Sequence, residues 1–381
     1  MSYITGAGLT AFGRHDGQST LDLMAVAASE ALADAGLVRG DIDAVITGYS
    51  TTLPHLMLAT LFSEHFGIQP AYAHGVQLGG ATGGALTGLA DLLVRSGVAR
   101  HVLIVAGENR LSGQTRDASV QTLAQVGHPV YEVPLGPTIP AYYGLVAQRY
   151  MHEFGVTSAD LAEFAVLMRR HAGGHPGAQF KAPITVGEVL ASKPIAPPLR
   201  LLDCCAVADG GAAVIVSAEP AGAAGRTGVR IIGTGQAHLH QHVTALADVS
   251  ATGAALSVTR AAKARGIAVR DVRYAAIYDS FTITLAMLLE EIGLAPRGGA
   301  AGMARDGAFG VAGRLPLNTH GGLLSYGHCG VAGALAHLVE AYAQMTGRAG
   351  ARQVRDASLV LVHGDGGVLS SHTSVFLEQV A

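Results

Sequence analysis

The chain has 381 residues, of which 49% are hydrophobic and 14% charged, with 51 glycines and a net charge of -3. That length and apolar content bury one large core or two fused ones, and the composition excludes a disordered chain. The slight negative balance and the shortness of basic runs such as Arg169-Arg170-His171 give no reason to expect nucleic-acid binding.

The first 110 residues alternate strand and helix signals. Tyr3–Gly8 reads as a strand, Leu21–Ala35 as a helix ended by Gly36, Asp43–Gly48 as a buried strand, and Pro54–Phe66 as a helix ended by Gly67. Tyr72–Gln77 is expected to be a strand and Gly83–Ser96 a helix. His101–Ala106 (HVLIVA) is a continuous apolar strand of the kind buried on both faces. This alternation predicts an α/β protein with a mostly parallel, doubly covered sheet. Residues 108–200 break the pattern, with helices near 141–154 and 158–172, and read as an insertion over the sheet. Gly211–Ala218 resumes as a strand. The Ala/Gly-rich stretch Glu219–Thr227 reads as a linker.

Beyond the linker come a strand at Val229–Gly233, a helix at Ala254–Arg265, a strand at Val272–Tyr278 and a helix at Thr282–Ile292. A helix at Gly330–Thr346 and strands at Leu359–His363 and Ser371–Leu377 follow. The segments 79–108 and 328–367 share one layout: glycine-rich turn, Ala-rich helix, glycine, buried strand. That weak repeat predicts two similar halves, residues 1–220 and 228–381, with one continuous sheet as the alternative. The three cysteines form no disulfide framework, and no CxxC or HExxH spacing marks a metal site. With no signal peptide pattern and no run of 18 apolar residues, no membrane association is expected, and the cytoplasm is the default location.

Four segments carry candidate chemistry. The turn Gly79-Gly80-Ala81-Thr82-Gly83 enters a helix and offers either backbone N–H donors or tight helix–sheet packing. The segment from Asn318 to Gly330 sets Asn318, His320, Tyr326 and His328 among glycines. That pattern suits proton transfer on a loop, or else is a glycine-rich surface turn. Tyr278-Asp279-Ser280-Phe281-Thr282 follows a strand, where α/β sheets bind ligands; a buried tyrosine with a satisfied hydroxyl is the plainer reading. His363-Gly364-Asp365-Gly366-Gly367 also ends a strand, as a donor-rich tip or a simple hairpin turn.

Together these segments resemble the thiolase superfamily, in particular its sterol-carrier-protein-type thiolases and thiolase-like aldolases. The resemblance implies a thiolase fold: two βαβαβ-type halves packed as α-β-α-β-α layers, with the inserted region. The family's Cys-Ala-Ser/Thr-Gly turn corresponds to GGATG, which puts Gly80 at the nucleophile position. Its Asn-Glu-Ala-Phe motif corresponds to Tyr278–Phe281, its Gly-His-Pro motif to Gly327-His328-Cys329, and its second cysteine to His363. Neither Gly80 nor His363 supplies a thiolate, so an acyl-enzyme is not expected at those positions. The YDSFT and SYGH segments, QRYMH in the insertion, and PLRLLDCC resemble steroid side-chain aldolases of this superfamily.

The resemblance implies cleavage or formation of a C–C bond in an acyl-CoA, with retro-aldol cleavage of a β-hydroxyacyl-CoA as the leading reading. Tyr278, Tyr326, His328 and His363 are the expected catalytic residues, meeting in one pocket with the two tyrosine hydroxyls about one water apart. Gly80, Asp279, Asn318, His320 and Gly366 are the expected substrate-binding residues, with Gly80 leaving a gap for substrate. Coenzyme A enters only as part of the substrate, and no other cofactor is implied. A homodimer joined through first-half sheets, with HVLIVA suited to the interface, and a small zinc-ribbon/OB-fold partner are the implied assembly. Two rivals remain: an acyltransferase using Cys329 or a partner's thiol, and a non-catalytic acyl-CoA-binding scaffold.

Overall fold

The computed structural model describes residues 1–220 and 228–380; most of the expected linker, 221–227, lies outside them. In chain order the elements are β1 (Ser2–Leu9), α1 (Thr20–Ala35), β2 (Ala44–Gly48), α2 (Leu58–Phe66), β3 (Tyr72–Val76), α3 (Thr82–Arg95) and β4 (His101–Asn109). The insertion then contributes α4 (Arg116–Ala124), α5 (Ile139–Phe154), α6 (Ser158–Ala172), α7 (Val186–Ala191) and a small ladder of β5 (Pro194–Ala196) and β6 (Leu199–Arg200). β7 (Asp209–Ser217) closes the first half. The second holds β8 (Gly228–His238), α8 (Ala254–Ala262), β9 (Tyr274–Ile277), α9 (Thr282–Ile292), α10 (Ala300–Arg305), α11 (Val331–Met345), β10 (Leu359–Gly366) and β11 (Ser371–Val380).

The strand order exposes the repeat. The first half runs β3-β2-β4-β7-β1 and the second β8-β11-β10-β9, so the order of one is the reverse of the other about the β1–β8 junction. Pairing type repeats as well. β1–β7 and β7–β4 are antiparallel and β4–β2 parallel; β8–β11 and β11–β10 are antiparallel and β10–β9 parallel. The two halves are joined through β1 and β8 over three residue pairs, which makes the hydrogen-bonded ladder continuous. α3 and α11 pack on each other and on strands of both halves, so they form the central layer. α1 and α2 cover the first half from outside, and α8 and α9 the second.

Backbone contact dictates the same residues twice. A Cβ on Gly6 or Gly8 of β1 would stand 2.3 or 2.1 Å from carbonyl oxygens of α1, and one on Gly233 or Gly235 of β8 would stand 2.1 or 2.3 Å from those of α8. Only glycine permits helix and strand to approach so closely. The helix ends also follow the local chemistry. Ser19 and Asp22 form a reciprocal cap on α1, and Gly36 takes the left-handed conformation at its end.

The sheet is mixed and not mostly parallel as the alternation predicts: three of its eight pairings among the described residues are parallel. α2 begins at Leu58, leaving 54–57 as loop, and the short helices α4, α7 and α10 were not foreseen. The insertion packs chiefly on the second half, where α5 and α6 meet α9 and α6 meets α10. HVLIVA lies inside the sheet between β2 and β7, so it is core and not an interface; the edge of the first half is β3, whose His74 and Gly75 are exposed. Among the described residues no helix is long and apolar enough to cross a membrane, and no group of His, Cys, Asp or Glu is arranged to hold a metal ion.

Candidate active site

The carboxyl end of β9 delivers Tyr278, and three interactions place it. Its amide donates to the His363 carbonyl at 2.9 Å. Just before it, Asn318 clamps Ile277: Oδ1 accepts from the Ile277 amide at 2.8 Å and Nδ2 donates to its carbonyl at 2.7 Å. Asn318 is thus committed to the backbone and holds the strand end instead of facing substrate. The Tyr278 ring then lies against the glycine turn. A Cβ built on Gly80 would fall 2.2 Å from Tyr278 Cζ and 2.3 Å from the Asp365 carbonyl oxygen. The gap expected at Gly80 is therefore filled, and what fills it is the tyrosine ring. The amides of Ala81 and Thr82 turn inward to the carbonyls of Leu78 and Gly79.

The Tyr278 hydroxyl stands 3.0 Å from Nε2 of His328. Burial, then the neighbouring Cys205, Tyr143, Asp365 and Tyr49, push the phenol well above its ordinary pKa of 10.0. Burial and the adjacent Arg110 push His328 down to about 3, so its imidazole is neutral at neutral pH. Asp279, next along the chain, points the other way. Its carboxylate accepts from the amides of Leu323 and Leu324 and pairs with His337 at 3.2 Å. It pins the π-helical turn Gly322–Tyr326.

The segment Cys204–Ala208 laces the two motif loops together. Cys205 donates its amide to the Ser280 carbonyl at 2.9 Å, the His328 amide donates to Ala206 at 2.6 Å, and the Ala208 amide donates to His328 at 3.1 Å.

Other candidates separate from this centre. Tyr326 is buried with its hydroxyl donated to the Thr10 carbonyl at 3.0 Å, and its ring packs among Phe12, His175 and His320. The two tyrosine hydroxyls therefore have different hydrogen-bond partners, His328 and the Thr10 carbonyl. His320 lies between Tyr326 and His337 in the interior, and burial holds it well below its ordinary range. His363 bonds Ser374 at 2.9 Å and His372 at 3.2 Å. Ser374 in turn meets Ser257 of α8, so His363 is on the outer face of the sheet, while its neighbour Gly364 faces Gly80 and Ala81. Strand alternation puts successive residues on opposite faces, and the alignment of one position could not reveal which face that was. Gly366 serves a close crossing: a Cβ there would stand 1.9 Å from the Leu78 carbonyl oxygen.

Several residues at the centre were not foreseen. Glu108 and Arg110 at the end of β4 form a buried ion pair. Glu108 is gripped by the Thr51 amide at 2.6 Å and hydroxyl at 3.1 Å. Tyr143, from α5 of the insertion, stacks on Phe281 at 4.3 Å and donates to the Asp365 carboxyl at 3.1 Å. Burial raises Asp365 well above its ordinary value. A signal did exist for the first pair: two opposite charges closing a buried apolar strand, GENR after HVLIVA, at the end where α/β sheets bind ligands.

The cysteines are unsuited to nucleophilic work. All three are free thiols. Burial raises Cys205 to about 12 and, with Glu108 adding to it, Cys329 well above 9.0.

A tyrosine in the nucleophile's place, between two repeated helices, defines a thiolase-type site without its thiolate. Family models agree with the fold: the thiolase N-terminal domain matches residues 2–220 and the thiolase C-terminal domain-like model residues 235–379. The chain belongs to the thiolase family. It is 34% identical over 347 residues to a steroid side-chain-cleaving aldolase of Thermomonospora curvata, covering 84% of this chain and 85% of the relative. It is 30% identical over 369 residues to an acetyl-CoA acetyltransferase of Methanothermobacter thermautotrophicus, covering 96% of each. The solved Ltp2-ChsH2(DUF35) aldolase superposes with a TM-score of 0.86 at 31% identity, covering 99% of this chain and 97% of that one.

Proposed function

We propose that this protein is an acyl-CoA aldolase, cleaving a β-hydroxyacyl-CoA by a retro-aldol reaction. The observation that carries the reading is the Tyr278 ring in the space a side chain at position 80 would need. An acyl-enzyme has no nucleophile there, while a tyrosine hydroxyl bonded to His328 stands in its place. In the reaction the β-hydroxyl proton passes to the Tyr278 oxygen, the hydroxyl electrons form a carbonyl, and the Cα–Cβ bond breaks. Its electron pair becomes a thioester enolate, which takes the Tyr278 phenol proton at Cα to leave a shorter acyl-CoA. Burial keeps Tyr278 a phenol, so its oxygen takes the substrate proton as it gives up its own, steadied by the His328 imidazole and the nearby Arg110 charge. Tyr326, Asn318, Asp279 and His320 hold the loops that shape the site.

The names of the aldolase relatives support this reading over acyl transfer, and so do the raised thiols. No cofactor is assigned beyond the coenzyme A of the substrate, and a cytoplasmic setting is assigned. The β3 edge is the surface we assign to a homodimer. A small zinc-ribbon/OB-fold partner is assigned by analogy with the solved aldolase, whose name couples Ltp2 to ChsH2(DUF35). The test is to incubate the purified chain, alone and with a neighbouring OB-fold protein, with β-hydroxyacyl-CoA and β-ketoacyl-CoA panels that include steroid side chains, and to identify products by mass. A carbonyl product with a shortened acyl-CoA supports the reading; thiolysis of β-ketoacyl-CoA, or no turnover with tight binding, favours the acyltransferase or the scaffold.

A further inference from the structure

The buried Glu108–Arg110 pair stands beside His328. Arg110 Nη1 stands 3.5 Å from Nδ1 of His328, and the Gly330 amide 3.3 Å from the same nitrogen. Both contacts are long, yet neither group has anything to offer except a proton: a guanidinium and an amide N–H are donors only. Nδ1 must therefore present its lone pair. A neutral imidazole with a bare Nδ1 carries its proton on Nε2, the nitrogen 3.0 Å from the Tyr278 oxygen. His328 then donates to Tyr278 and cannot accept its proton.

We infer that Arg110, anchored by Glu108 and Thr51, is the positioning residue that fixes His328 as the Nε2–H tautomer and thereby makes Tyr278 the group whose proton moves. The anchoring is explicit: Arg110 Nε donates to Thr51 Oγ1 at 3.2 Å, and Thr51 also holds Glu108. A side chain at Gly330 would collide with the Glu108 carboxylate, 2.7 Å from its carbon, so the loop carrying His328 is shaped around the pair. The charged or titratable groups facing His328 are Arg110 from the end of β4, with Glu108 behind it, Tyr278 from the end of β9, and His337 from α11. Burial first, and then the Arg110 cation on its Nδ1 side, keep His328 low. The role assigned to Tyr278 rests on the aldolase reading; the tautomer does not.

The experiment separates the two. Protein with ¹⁵N-labelled histidine is followed by long-range proton–nitrogen NMR from pH 5 to 8, His328 being assigned by comparison with His328→Gln. Wild type should show the neutral Nε2–H form throughout, and Arg110→Lys, which keeps the cation, should preserve it. Removing Arg110 alone would leave Glu108 buried and unpaired, so the double variant Glu108→Gln/Arg110→Met is used for the loss. In that variant the Nδ1–H form should appear, and the His328 titration should move up while burial still holds it below the ordinary range. Its kcat/KM for the β-hydroxyacyl-CoA should fall tenfold or more. An Nδ1–H tautomer or an imidazolium in wild type at pH 7 would overturn the inference. So would a folded double variant with an unchanged tautomer and titration. Wild type with the expected tautomer but no aldol cleavage would sink the aldolase reading and leave the assignment of Arg110 standing.

Discussion

A single methyl group at position 80 tests the architecture of the site. Gly80 does not use a left-handed backbone, so any residue satisfies its conformation and only space forbids a side chain. The Cβ of alanine would sit 2.2 Å from Tyr278 Cζ, where ordinary contact begins at 3.4 Å. Either the ring or the turn must shift by about 1 Å, as the van der Waals limit requires. The Asp365 carbonyl on the other side, 2.3 Å away, blocks retreat of the turn. Tyr278 must therefore move, and its 3.0 Å bond to His328 lengthens beyond hydrogen-bond range. Overpacking costs about 1–3 kcal/mol, the lost hydrogen bond adds about 1 kcal/mol, and a misplacement near 1 Å lowers turnover about a hundredfold. The assay is aldol turnover with thermal unfolding measured in parallel on Gly80→Ala and on Gly80→Ala/Tyr278→Ala. The second change removes the obstructing ring, so with Tyr278→Ala measured alone the double variant should lose less stability than the two single losses added together, and it should show no activity. Full activity and unchanged unfolding in Gly80→Ala would refute the claim that the tyrosine occupies the nucleophile's space.

Three further outcomes are expected. Tyr278→Phe should reduce kcat by about a hundredfold, the usual weight of a general acid–base group, with little change in unfolding temperature; unaltered turnover removes Tyr278 from the chemistry. Cys329→Ala should keep most of the turnover at a stability cost of about 1 kcal/mol. A thousandfold loss with an intact fold, about 4 kcal/mol of barrier, would restore the acyl-enzyme route. Acid should destabilise the fold early. Burial holds His171 and His175 down to about 4, and His328 to about 3, against an ordinary 6.5. Below 6.5 the unfolded chain binds protons that the native state refuses, so stability present above that pH is lost as pH falls toward 4. Each histidine contributes about 1.4 kcal/mol per pH unit in that window, and a urea midpoint equal at pH 7.5 and 5 contradicts it.

The sequence alone determined most of the helices and strands. Helix and strand periodicity, apolar runs and terminal glycines are short-range signals, so α1, α3, β4, α5, α6, α9 and α11 were legible to within a few residues. The repeat of turn, helix and strand announced two halves, and the missing cysteine at Gly80 ruled out a thiolate there. What tertiary structure decided is everything that depends on which face a side chain takes and what comes to meet it. Residue alternation along β10 turns His363 outward to Ser374, although its neighbours line the glycine turn. The π-helical turn spends Asp279 on loop amides, and packing sends the Tyr326 hydroxyl to the Thr10 carbonyl. Tyr278 fills the space over Gly80 because β9 and α3, far apart in the chain, are brought together by the central layer. The meeting of Arg110 with His328 has the same origin. Long-range contacts of this kind follow from burial of whole helix and sheet faces, which no local pattern of residues encodes.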